Sequence, residues 1–222
     1  MKRREFITLP AKCLGGLLMY TLAGVPVRIN GASGTVRLPL RFFTAHEALI
    51  IAAAAERIFP SDESGPGATE AGVAIYIDRQ LAGPYGHDKY RYTRGPFVES
   101  VPEHGYQGKA NPQEIYRDGL QKIGPDFTKL DAEKQNDRLR AIEGTTFFRM
   151  LRAHTIEGMF SDPMHGGNAN MIGWQLIGYP GPVMSYRDEI DKHYGQAFRS
   201  QKPMSLAQVI GHPVKGWEEE RN

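Results

Sequence analysis

Thr44, Glu47 and the uninterrupted run Ala48-Leu49-Ile50-Ile51-Ala52-Ala53-Ala54-Ala55 set the terms for this chain. A threonine hydroxyl and a glutamate three positions on satisfy each other's free N–H groups at a helix start. Alanine and leucine are among the best helix formers, and Pro60 stops whatever they start. This is the strongest helix the sequence offers, and others follow it along the chain.

Val73, Ile77 and Leu81 recur every four residues within a second helix, expected from about Thr69 to Leu81 and halted by Gly83-Pro84. Asn111-Pro112 opens a third, with Tyr116, Leu120 and Ile123 on one face. Asp131 caps a polar fourth helix reaching Glu143. Phe148, Leu151, Thr155, Gly158 and Met159 stripe a fifth that ends at Asp162-Pro163, and shorter turns fall over residues 171–177 and after Ser205. Extended candidates are few; the best spans residues 36–43, and Pro39 keeps it from being a central strand. The expectation is a mainly α fold: a single irregular helical domain over residues 33–222, with long Gly/Pro loops at 60–68, 83–112 and 162–185. With 41% hydrophobic and 23% charged residues in 222, it buries enough core to fold without staples.

Residues 1–32 read as an address, not as part of that domain. Lys2-Arg3-Arg4-Glu5-Phe6-Ile7 precedes an uncharged stretch over residues 13–27. A basic start before an apolar run is the layout of an export signal. Fifteen residues make a helix of only about 22 Å at ~1.5 Å per residue, short of the roughly 30 Å bilayer core. Arg3, Arg4 and Phe6 resemble a twin-arginine signal, the alternative being a general secretory signal that happens to contain Arg-Arg. Processing is expected between Ala23 and Ser33.

Charge and cysteine exclude several classes of function. The chain carries 27 Lys plus Arg against 25 Asp plus Glu, and five of those cations with one anion lie in residues 1–32. The remainder holds 22 cations against 24 anions, so the basic surplus of a nucleic-acid binder is missing. Cys13 is the only cysteine, which excludes an intrachain disulfide, a four-thiolate zinc site and a self-ligated iron–sulfur cluster. No C-x-x-C-H, G-x-G-x-x-G, P-loop or G-x-S-x-G string occurs.

Two side-chain groupings keep alternatives open. His154, Asp162 and His165 could converge on a metal across the end of the fifth helix; equally, His154 is a satisfied polar residue beside the core and His165 a loop side chain. Asp62-Glu63 and Asp162 could serve as carboxylate acids or bases, or simply accept hydrogen bonds from loop N–H groups. Tyr85, Tyr90, Tyr92 and Tyr106 with Arg91 and Arg94 suit a protein interface.

Two long strings are distinctive. One runs from Ala55 through Phe59-Pro60-Ser61-Asp62-Glu63-Ser64-Gly65-Pro66-Gly67-Ala68-Thr69 to Val73 and on to Tyr76-Ile77-Asp78. The other includes Phe147-Phe148, His154-Thr155-Ile156-Glu157-Gly158-Met159-Phe160-Ser161-Asp162-Pro163, His165-Gly166-Gly167-Asn168 and Gly173-Trp174-Gln175-Leu176-Ile177-Gly178-Tyr179-Pro180-Gly181. Together, over about residues 44–182, they resemble the gluconate 2-dehydrogenase subunit 3 family, with His165 where the family often has tyrosine.

The resemblance implies a non-catalytic small subunit with no cofactor or metal of its own. Its implied partners are a FAD-binding subunit of the glucose–methanol–choline type, oxidising a sugar, sugar acid or polyol, and a multihaem cytochrome c subunit. It also implies periplasmic residence at the inner membrane and use of the twin-arginine translocase to carry the folded flavoprotein. A stand-alone metal enzyme built on His154, Asp162 and His165, or a transient assembly chaperone, are the alternatives. The expected partner contacts are Asp62, Gly65, Pro66 and Gly67 on one loop. On the other they are Asp162, Pro163, His165, Gly166, Gly167, Asn168, Trp174, Pro180 and Gly181. Trp174 fits two roles, an interface hot spot or a plug in the domain's own core.

Overall fold

The structure, a computed structural model, describes residues 17–22, 25–30, 40–97, 101–183, 185–196 and 202–211. Arg3, Arg4 and Phe6 lie outside the described residues, as do Cys13 and most of the extended candidate at 36–43. The chain divides into two compact units, Met1–Pro39 and Leu40–Asn222. The first contains an antiparallel pair, β1 (Leu17–Leu22) and β2 (Val25–Asn30), in register from Leu17 opposite Asn30 to Leu22 opposite Val25. No strand was expected there, although Val25, Val27 and Ile29 are β-branched residues in strict alternation.

The second unit is helical: α1 (Ala45–Ile58), α2 (Val73–Ala82), α3 (Pro112–Ile123), α4 (Ala132–Ala141), α5 (Thr146–Phe160), α6 (Ile172–Ile177) and α7 (Leu206–Gly211). Four of the starts have a side-chain cap, three of them at residues the sequence marks. Thr44–Glu47 and Asn111–Glu114 form full capping boxes on α1 and α3, while the Asp131 and Thr145 side chains accept from Lys134 N–H and Phe148 N–H. Helix α2 begins four residues later than the periodicity predicts. Residues 68–72 form a turn ending at Gly72, whose φ of 71° is left-handed, and the Val73 N–H bonds back to the Ala68 carbonyl.

Helix α5 lies at the centre, packed against α1, α2, α3 and α6, and α1 also meets α2 and α4. One core cluster results, with Ile51, Val73, Ile77, Tyr116, Phe147, Leu151 and Met159 at its heart. Val73 and Tyr76 of α2 lie closest to α5 at Gly158, where a Cβ would sit 3.2 Å from both side chains. No helix among the described residues is long and apolar enough to cross a membrane.

Residues 40–43, the described part of the extended candidate, bend instead of forming a strand. Their N–H groups find a carboxylate. The buried Asp78 of α2 accepts from the N–H groups of Arg41 (2.7 Å), Phe42 (3.0 Å) and Phe43 (2.8 Å). Three donors converging on one ionised group replace a ladder and fix the entry into α1.

Candidate functional site

The two Gly/Pro loops that carry the expected partner contacts meet each other. Residues 62–65 close a tight turn in which Asp62 and Gly65 exchange both backbone hydrogen bonds at 3.1 Å, and Asp62 Oδ1 accepts from Ser64 N–H at 2.8 Å. At Gly65, with φ 154°, a Cβ would lie 2.7 Å from Leu176 Cδ1 of α6. A side chain here would displace the Leu176 tip and strain a backbone angle that glycine adopts freely. Behind it the Glu56 carboxylate of α1 accepts from Ser61 N–H and Thr69 N–H, at 2.8 and 2.9 Å, spanning the loop from both ends.

The second loop is held as firmly. Asn168, fully buried and left-handed at φ 46°, donates its amide to the Ser161 carbonyl (2.9 Å) and accepts from Gly173 N–H (2.8 Å). Its own N–H reaches the Gly158 carbonyl of α5 at 2.7 Å, and Ala169 N–H bonds to Ala71 at 3.0 Å, joining this loop to the start of α2. Asp162 spends both oxygens on backbone: Oδ1 accepts from Met164 N–H at 3.0 Å and Oδ2 from Leu206 N–H at 2.7 Å, so it caps α7. The hydrogen-bonding role for Asp62 and Asp162 is the one the structure displays.

Trp174 is 4% exposed, its indole N–H donating to the Phe160 carbonyl at 2.6 Å and its ring edge-on to Tyr179. The side chain is packed inside its own chain. Gly67, Gly167, Asn168 and Gly181 are also buried; Gly65, Pro66, Asp162, Pro163, Gly166 and Pro180 are half-buried, and Asp62 and His165 are exposed. The loops turn other apolar side chains outward. Met164, Ile177 and Tyr179 are 56%, 59% and 42% exposed. Sequence reasoning passed over them because a lone apolar residue near a helix end reads as core; only burial shows which way it faces.

His154, Asp162 and His165 are not gathered. His154 is buried on α5 with Nε2 2.9 Å from the Tyr85 hydroxyl and Nδ1 2.8 Å from the Tyr116 hydroxyl, its ring stacked on Tyr116. Both imidazole nitrogens are therefore engaged. Among the described residues no three His, Cys, Asp or Glu side chains are grouped to hold a metal ion. Burial lowers the His154 pKa from its ordinary 6.5, against a weaker opposing pull from Glu157. Burial likewise raises the tyrosine hydroxyls around it, Tyr85 to about 12 with Tyr76 and Tyr116 also raised, and Tyr76 donates to Glu157 at 2.9 Å. A neutral imidazole carries one N–H, so one tyrosine donates to it and the other accepts. The group is a hydrogen-bonded network that holds the His154 ring and reaches the surface at Tyr85 and Glu157.

Fold and site together define a mainly α domain organised around two interlocked loops. The chain belongs to the gluconate 2-dehydrogenase subunit 3 family, which matches residues 45–181, more than half its length and the stretch that contains both loops. It is thereby a subunit of a dehydrogenase complex and has partners. No curated protein and no solved structure matches the chain.

Proposed function

We propose that this chain is the non-catalytic small subunit of a periplasmic, membrane-associated FAD-dependent dehydrogenase, and that it escorts the folded catalytic subunit through twin-arginine export. The observation that carries the reading is the family match across both loops. Three sequence features support it. Arg3-Arg4 with Phe6 suits a route for folded cargo; the motifs that would bind a dinucleotide are missing; and the Gly/Pro loops suit contact with another polypeptide. The partner would be a flavoprotein of the glucose–methanol–choline type acting on a sugar, sugar acid or polyol, with a multihaem cytochrome c taking the electrons. Its docking surface on this chain would be the interlocked loops at 62–67 and 162–181.

FAD is inserted before export, so a partner without a signal must cross folded, and one signal can serve both chains. Changing Arg3 and Arg4 together to Lys is expected to leave this subunit and the flavoprotein in the cytoplasm, read by fractionation and flavin fluorescence. A flavoprotein that still reaches the periplasm in that variant sinks the escort role.

A further inference from the structure

A second surface lies away from the interlocked loops, in a cleft of about 420 Å³ where α1, α4 and α5 come together. Arg57, Arg140 and Arg152 line it against a single acid, Glu143. That lining carries two net positive charges, in a chain whose residues 33–222 are net negative. Ile58 and Phe148, both half-buried, give the same cleft an apolar wall.

The ordinary explanation for surface arginines is that they neutralise acids or cap helix ends. It covers only part of this cluster. Arg140 pairs with Asp137 at 2.9 Å, but both side chains are well exposed, and such a pair holds its arginine weakly. Arg57 and Arg140 stand in the last turns of α1 and α4, where the helix dipole favours a cation. Arg152 is in the middle of α5, far from either end, and neither it nor Arg57 pairs with a carboxylate among the described residues. A guanidinium is shaped to bind carboxylates two bonds at a time, and arginine beside aromatic and aliphatic surface is enriched at protein interfaces.

From this charge complementarity we infer that the cleft docks an acidic segment of another subunit of the dehydrogenase complex, one or more carboxylates with an apolar side chain beside them. The apolar wall favours a peptide over a bare anion, because a free anion leaves Ile58 and Phe148 in water. The inference rests on membership of a dehydrogenase complex and not on the export role.

The test uses the complex purified through a tag on this chain. Replacing Arg57 and Arg152 together with Glu is expected to cut the co-purifying dehydrogenase subunit roughly tenfold or more. Its melting temperature should fall by no more than a few degrees, since Arg152 is exposed, neither arginine pairs with a carboxylate among the described residues, and only the favourable place of Arg57 at the end of α1 is given up. R57K/R152K, which keeps the charge but loses the paired bonds, should hold the partner less tightly as salt rises. K122E/K129E, the same charge change on two exposed lysines at the end of α3 and just after it, should hold it as the wild type does. Full retention by R57E/R152E overturns the inference, as does equal loss in K122E/K129E, which would make the effect one of net charge. If R57E/R152E keeps its partner but loses binding to phosphatidylglycerol vesicles that the wild type shows, the cleft belongs to a lipid headgroup and the inference fails. A wild-type chain that brings down no dehydrogenase subunit fails at the level of the complex itself, a result distinct from all of these.

Discussion

Single residues in this protein do their most telling work by satisfying backbone or each other in the interior. Asp78, Glu56, Asp162 and Asn168 each tie two or more main-chain groups, which turns irregular segments into fixed ones. His154 is the residue here whose protonation is tied to folding by its burial. Buried between Tyr85 and Tyr116, it titrates below 6.5 in the folded chain and near 6.5 in the unfolded one. Between those values the unfolded state binds the extra proton. Stability contributed by the neutral ring is therefore complete above about pH 6.5 and is lost as pH falls through the folded value, at up to about 1.4 kcal/mol per pH unit. Thermal melts from pH 7 to pH 5 should show a fall in midpoint that His154→Gln reduces, whatever the variant's stability at pH 7. Parallel curves for the two proteins would assign the acid sensitivity to other groups.

At the scale of elements, the loops and α6 divide into side chains that hold and side chains that face out. Trp174, on the buried face of α6, closes the end of α5 through the Phe160 carbonyl. Trp174→Ala should cost about 3–5 kcal/mol, the usual range for deleting a buried aromatic. Ile177, three residues on and 59% exposed, should tolerate Asp with an unchanged melting temperature while weakening capture of the dehydrogenase partner. Unaltered capture by Ile177→Asp would take the partner contact away from this end of α6. The sequence told these elements apart unevenly. Thr44, Asn111 and Asp131 announced helix starts because a cap is a local interaction, complete within four residues. The start of α2 was misplaced because residues 68–72 are tied partly to distant groups, Thr69 N–H to Glu56 thirteen positions away and Ala68 N–H to the Phe59 carbonyl. The meeting of Gly65 with Leu176, and the gathering of Arg57, Arg140 and Arg152, join positions too far apart in the chain for any local pattern to show.

For the helical unit as a whole, the single core cluster centred on α5 makes stability a shared property. Helices α1, α2 and α3 each lean on α5 and not on separate cores, so a fault at one contact should reach the rest. Gly119 of α3 offers a clean way to place such a fault. A methyl group there would fall within the Phe147 ring, which is 2% exposed and enclosed by the core, so neither group can step aside cheaply. Gly119→Ala gains helix propensity of about 1 kcal/mol. Overpacking of a dense core costs about 1–3 kcal/mol or more, and with Phe147 nearly immovable the net effect should be destabilising. At roughly 2–4 °C per kcal/mol for a chain of this size, a drop of several degrees is expected. The informative readout is where the drop appears. With Trp217 changed to Phe, fluorescence reports on Trp174 at α6, which meets the opposite end of α5 from Phe147, while far-UV circular dichroism reports on all the helices. If the unit folds as one, both signals shift together to the same lower urea midpoint. A fluorescence transition that stays at its wild-type midpoint while the dichroism transition moves would mean that α6 and its loop unfold independently of α3, against the single core.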